Sequence, residues 1–404
     1  MKLSFRGRIL GGILLLFAIL QWSLNAQTVQ PGPLVAEVRQ KLLQESIFAP
    51  AEVTLNSGVA RGLGEGLGEK VEPQALAGSA LLGYWSQLAA REPQRVGALT
   101  QRALERMVES VSDPYTALLT PQDMAREREM MSSGRFAGVG VELAWQGGLV
   151  VAGVIPHSPA AQGGLQVGDF LQRVDGQATK ELTFYRAGDL LSGAPGSQVK
   201  LDIVRRGRPL TLTLTRAALR LPEVESKMLS SGVGYLRLGY FGPQTAKETL
   251  NHLRQLQAQG LEKLVLDLRG NPGGDFQQGL QVAALFRQGE LVKVQRRGGI
   301  KRMRNPQPPA YAGPLAILVD RGTASSGEIA ALALQGQANV KVWGEKTFGK
   351  GLIQALYSMP GGYGLRLSTG VYLSREGASI NQRGLTPDHS VASAQALQAA
   401  LAGW

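Results

Sequence analysis

The chain has 404 residues, 44% of them apolar, enough to bury two or three separate cores, and the composition is neither disordered nor collagen-like. It contains no cysteine, which removes disulfides, thiolate metal sites and cysteine nucleophiles at once. The net charge of +12 comes from Lys and Arg scattered along the chain, a basic solvated surface rather than the massed patch that a nucleic-acid partner needs.

Lys2, Arg6 and Arg8 precede an apolar run from Ile9 to Leu20, and the small Ala26 closes the polar stretch that follows. Residues 1–26 therefore read as a secretory signal cleaved before Gln27, or as a retained membrane anchor, since 9–26 approaches the ~17 residues that just span a bilayer. Both readings imply export, to the periplasm or another extracytoplasmic space. Residues 27–134 form a helical N-terminal region: 34–47, 76–90 and 96–111 carry helical apolar spacing, and Asp113-Pro114-Tyr115 ends the last. Between them Gly58, Gly62, Gly64, Gly66 and Gly68 read as a loop or a weakly helical linker. This region is a scaffold or the surface of a homo-oligomer.

From Phe136 the period changes to that of strands. Residues 139–143, 148–155 and 198–215 are β-rich, the last broken by the turn Arg206-Gly207-Arg208-Pro209, with a helix over 184–191. They make 135–217 a compact mixed module. Residues 218–404 then alternate strand and helix: 234–238, helix 245–256, 264–268, 315–319, helix 328–334, and strands near 357–360, 364–367 and 370–373. An α/β layer of this kind carries its active loops at the C-terminal ends of strands.

No HExxH occurs, and His157, His252 and His389 lie far apart, each more simply structural or exposed than catalytic. Neither a metal nor a cofactor is expected. Gly344-Glu-Lys-Thr-Phe-Gly349-Lys350 imitates a P-loop, but Gly351 stands where Ser or Thr must hold Mg²⁺, and a strand-like run follows instead of a helix. Thr323-Ala-Ser325-Ser326-Gly327-Glu328 lies between a buried strand and a helix. Ser325-x-x-Glu328 is a capping box, and it also places a hydroxyl on a strand-to-helix turn beside free amides. Asp267-Leu-Arg-Gly-Asn-Pro-Gly-Gly274 ends another strand, and Gly273 and Gly274 let backbone amides approach a carbonyl unobstructed. Lys350 is embedded between Phe348 and Leu352-Ile353, and strand alternation puts Lys350, Leu352 and Gln354 on one face.

These three motifs, in this order, resemble the carboxyl-terminal-processing (tail-specific) proteases, PDZ-containing serine peptidases. The similarity runs from about Asp113 through Val391 and includes Asp113-Pro-Tyr-Thr116, Phe136-Ala-Gly-Val-Gly140 and Gly168-Asp-Phe-Leu-Gln-Arg-Val-Asp-Gly176. It implies a multidomain α/β protein: a crotonase/ClpP-like α/β core over 218–404, an inserted PDZ-like domain over 135–217 and the helical N-terminal region. It implies Ser325 as nucleophile, Lys350 as general base and Gln354 as the residue orienting the amine. Where relatives more often carry Ala followed by Ser or Ala, this chain has Ser326-Gly327, and it has Asp320 where Asn is common. The backbone of Ser326 and of Gly273 or Gly274 would hold an oxyanion. A lysine serves as base only when neutral, so burial among apolar side chains is expected to favour that form. In the PDZ-like domain, Phe136, Gly138, Val139, Gly140 and Val141 would receive a peptide's terminal carboxylate. The substrates implied are polypeptides with free, apolar or small C-terminal residues. The alternative is a non-catalytic PDZ or binding protein on the same fold; the presence of both Ser325 and Lys350 argues against it.

Overall fold

The computed structural model describes residues 30–404 except 134, 146, 156, 183 and 221–223, so the reading of 1–26 as signal or anchor lies outside the described residues. Among those described, no helix is long and apolar enough to cross a membrane.

Four helices come first: α1 (Pro31–Glu45), α2 (Glu52–Leu67), α3 (Ala80–Arg91) and α4 (Val96–Glu109). Their apolar stripes meet in one core, with Leu34, Val38, Leu55, Val59, Leu63, Leu104 and Met107 buried. The glycine-rich stretch is not a linker but helix α2. A Cβ at Gly58 would fall 2.5 Å from the Arg106 carbonyl oxygen, and one at Gly62 would fall 2.6 Å from that of Arg102. The glycines let α2 lie directly on the backbone of α4. Each costs about 1 kcal/mol of helix propensity, which the burial of Leu55, Val59 and Leu63 offsets. The same core takes in Met359, Leu365 and Leu367 from the C-terminal half, so the helical region is a platform on the α/β unit.

Strand β1 (Ala117–Leu119) and helix α5 (Pro121–Ser133) lead into the mixed module. The module comprises β2 (Arg135–Gly138), β3 (Val141–Trp145), β4 (Leu149–Val154), α6 (Pro159–Gln162), β5 (Phe170–Val174), β6 (Gln177–Ala178), α7 (Phe184–Leu191), β7 (Gln198–Arg205), β8 (Arg208–Thr215) and β9 (Ala217–Arg220). Its sheet runs β3-β4-β5-β7-β8, with β6 on β5, around a core that includes Leu149, Val151, Leu171, Leu201 and Ile203. β2 pairs with β9, so the segment that closes the module runs on to Arg220. β3 is an edge strand beside α7, and it leaves an open ladder for an added chain.

The C-terminal unit contains β10 (Val224–Ser230), β11 (Val233–Leu238), α8 (Thr245–Ala258), β12 (Lys263–Asp267), α9 (Phe276–Ala284), β13 (Gly289–Arg296), β14 (Gly299–Asn305), β15 (Leu315–Val319), α10 (Ser326–Leu334), β16 (Val340–Gly344), β17 (Leu352–Ser358), β18 (Gly364–Leu373), β19 (His389–Ser390) and α11 (Ala396–Ala402). One sheet is ordered β10-β11-β12-β15-β16-β19 and is parallel from β11 onward. Strand alternation sends Leu264, Leu266, Ile317 and Val319 to the face covered by α8, α9 and α10. Val265, Ala316 and Leu318 go to the face covered by α11. The second sheet, β1-β18-β13-β14 with β17 on β18, has one continuous strand where two short runs were expected over 364–373. The described residues thus form an α/β core with an inserted mixed module and a helical N-terminal region.

Candidate active site

Strand β15 is wholly buried, and the chain leaves its C-terminal end through residues 320–325 into α10. Ser325 sits at the turn with φ 50° and ψ −119°, a conformation that non-glycine residues adopt at a cost of about 1–3 kcal/mol. Ser326 begins the helix, so its amide is one of the orphan donors of a helix N-terminus. The loop after β12 lies against this turn. A Cβ on Gly273, at φ 104°, would fall 2.6 Å from the Ser325 Cβ and 2.9 Å from the Ser326 amide nitrogen, so only glycine fits. Asn271, fully buried, ties the two loops: its carbonyl accepts from the Ala324 amide at 2.9 Å, and its Nδ2 donates to the Leu238 carbonyl at 2.8 Å.

Lys350 reaches the same place from the loop between β16 and β17. The Phe348 amide donates to the Thr323 carbonyl at 3.0 Å, which docks this loop on the serine turn. Glu328, in the first turn of α10 and fully buried, completes the joint. Its carboxylate accepts from the amides of Ser325 (3.0 Å), Gly349 (2.7 Å) and Lys350 (2.8 Å) and from the Thr347 hydroxyl (2.5 Å). Burial pushes the Glu328 carboxyl up to about 7, against the pull of those four donors. The capping glutamate is therefore also the bracket between serine and lysine.

A peptidase family S41 profile matches residues 232–391, and a PDZ domain profile matches 150–205. A carboxyl-terminal-processing protease of Picosynechococcus is 34% identical over 311 residues, 74% of this chain and 75% of that one. Its counterpart in Synechocystis is 33% identical over 312 residues, 74% of this chain and 73% of the relative. The chain belongs to this family of serine peptidases. The solved photosystem II D1 C-terminal processing protease agrees in structure, with a TM-score of 0.66 at 30% identity over 85% of this chain and 94% of that one.

In this S41 peptidase a cleft of about 610 Å³ separates the PDZ domain from the core. Phe136, Gly138, Val139, Gly140 and Val141 line one side, and Lys350, Gln354, Tyr115 and Pro272 line the other; Ser325 does not line it in this arrangement. The loop ahead of β3 is fixed by its carbonyls, Val139 accepting from the Ala160 amide and Gly140 from the Ile155 amide, each at 2.9 Å. The Lys350 side chain is 13% exposed, and its amine faces the Glu142 carboxylate of β3 at 3.3 Å. Gln354, expected to orient the amine, donates to the Tyr115 carbonyl at 3.0 Å, and the Tyr115 ring centroid lies 5.4 Å from the lysine nitrogen. A bulge between Ile353 and Gln354 breaks the simple alternation expected along this strand. Tyr115 is itself set by Asp113, whose carboxylate accepts from the Tyr115 amide at 3.1 Å and from the Thr116 hydroxyl at 2.5 Å.

Of the amides expected at the oxyanion site, that of Gly273 is donated to Asn271 Oδ1 at 2.8 Å, which leaves those of Ser326 and Gly274. The histidines lie elsewhere. His252 Nδ1 is 2.7 Å from the Ser226 hydroxyl, His389 stacks on Trp343 at 3.9 Å, and His157 occupies a positive-φ turn. The Gly344–Lys350 stretch enters strand β17, not a helix, as its sequence indicates. Sequence reasoning did not single out Glu142, Tyr372 or the bracketing role of Glu328. Only the capping box hinted at the last.

Proposed function

We propose that this peptidase is an exported, tail-reading serine endopeptidase in which Ser325 attacks the peptide carbonyl and Lys350 accepts its proton. The observation that carries this reading is the Glu328 bracket, which takes the amides of both residues on a single buried carboxylate. Such a joint fixes two residues from different loops relative to each other. The serine hydroxyl attacks, the neutral amine takes the proton and later delivers it to the leaving nitrogen, and water then hydrolyses the acyl-serine. The developing oxyanion is received by the amides of Ser326 and Gly274. Incubating one unfolded polypeptide with the wild-type chain and with Ser325→Ala tests the assignment. The basic, apolar leader over 1–26 supports export, and sequencing the mature N-terminus distinguishes a cleaved signal from a tether.

The same reading assigns selection to the PDZ groove. An extended peptide adds to the free edge of β3, with its carboxylate on the loop of Gly138, Val139 and Gly140. Charge-assisted hydrogen bonds contribute roughly 1.5–3 kcal/mol each, so amidating a peptide's C-terminus is expected to reduce its cleavage about ten- to a hundredfold. Paired rates on the acid and amide forms of one peptide check this, and equal rates would remove tail recognition while leaving the chemistry intact.

Glu142 lies on β3 itself, so the strand that receives the tail also supplies the carboxylate facing Lys350. An ammonium has no lone pair to accept a proton, so before attack the amine must leave this carboxylate and give up a proton. With both side chains partly exposed, the pair is worth about 1 kcal/mol, and Glu142→Gln is expected to raise the basal rate on a short peptide about fivefold. A rate at or below wild type would show that Glu142 is no brake.

A further inference from the structure

Tyr372 lies on β18 and is completely buried. Its ring is fixed within the main core, and its own amide donates to the Gly351 carbonyl at 3.1 Å. The hydroxyl points at two main-chain carbonyls. It donates to that of Lys350, with that of Ser325 at 3.3 Å. These are the same two residues whose amides converge on Glu328. We infer that Tyr372 is a positioning residue, which holds the main chains of Ser325 and Lys350 in register through their carbonyls as Glu328 does through their amides.

The two residues come from different elements, the start of α10 and the loop before β17, so their separation depends on what bridges them. Glu328 ties the peptide units that precede the two residues, and the tyrosine ties those that follow; the Ser325 carbonyl also accepts from the Ile329 amide at 2.9 Å, so the hydroxyl adds the link from this anchored carbonyl across to that of Lys350. A tyrosine hydroxyl has one hydrogen for the two carbonyls. Burial, with the Glu328 charge nearby, pushes the phenol well above its ordinary range, so it remains a neutral donor at any working pH. A displacement of the order of 1 Å between reacting groups is enough to lose about a hundredfold in rate.

This inference rests on the Ser–Lys reading, and the experiment separates the two. Tyr372→Phe is expected to lower kcat about 10- to 100-fold per folded molecule, with KM within about twofold and the CD spectrum unchanged. A residue that merely fills the core would leave kcat unaltered, because the ring remains. Site-specific replacement by 4-aminophenylalanine restores a donor at the ring tip, with two hydrogens for the two carbonyls, and is expected to recover kcat. Replacement by 4-methylphenylalanine fills the same space without a donor and is expected to stay slow, which keeps the test valid even if the phenylalanine variant fails to fold. Equal kcat for the methyl and hydroxyl side chains, or no recovery with the amino side chain, overturns the inference. Ser325→Ala is run in the same assay. A silent Ser325→Ala beside a fully active Tyr372→Phe defeats only the role of Tyr372, whereas an active Ser325→Ala defeats both readings.

Discussion

Ser325→Ala is expected to reduce peptide hydrolysis on the order of 10⁶-fold, the loss found when a comparable serine hydrolase gives up its nucleophile. Stability should change by only about 1 kcal/mol, because the helix keeps the Glu328 half of its capping box and loses only the serine's own side-chain contribution. A rate assay on an unfolded polypeptide, paired with thermal unfolding, reads both quantities. A variant that keeps a tenth of the wild-type rate, with contaminating proteases excluded, would show that another group attacks. Resistance of the wild-type enzyme to reagents that depend on a catalytic histidine would not count against Ser325, since His157, His252 and His389 are all engaged or placed elsewhere.

Lys350→Ala and Lys350→Arg are both expected to lose about 10²–10⁴-fold in kcat, the contribution of general-base catalysis, since the serine is unreactive without it. The arginine variant is the sharper of the two. It keeps a positive charge beside Glu142 and near Tyr115, but a guanidinium stays protonated and cannot act as a base. An active Lys350→Arg would reduce the lysine to electrostatic support. The double change with Ser325→Ala should be no slower than Ser325→Ala alone, because residues that act as a unit are not additive. EDTA should have no effect on the wild-type rate.

The sequence was most legible where the physics is local. The apolar run of β15 followed by Ser325-x-x-Glu328 announces a strand turning into a capped helix. Gly351 and the apolar residues after Lys350 announce a strand where a nucleotide loop would need a helix. The long hairpin of β7 and β8 and the helix α7 of the PDZ domain follow from period and turn chemistry. It was least legible where a residue's meaning depends on a distant neighbour. The glycines of α2 suggest a linker until α4, some forty residues on, is packed against them. The amide of Gly273 seems available until Asn271 folds back on it.

The sequence by itself therefore determined many of the elements, the family and the motifs that nominate Ser325 and Lys350, because helix starts, strand alternation and motif spacing are properties of neighbouring residues. Only the tertiary structure decided what surrounds those two residues. Glu142 meets Lys350 across 208 positions of chain, Gln354 meets Tyr115 across 239, and Tyr372 meets both peptide units of the pair from another sheet. Contacts of that separation leave no periodic trace, since each is fixed by how whole layers pack and not by the residues beside it in the chain.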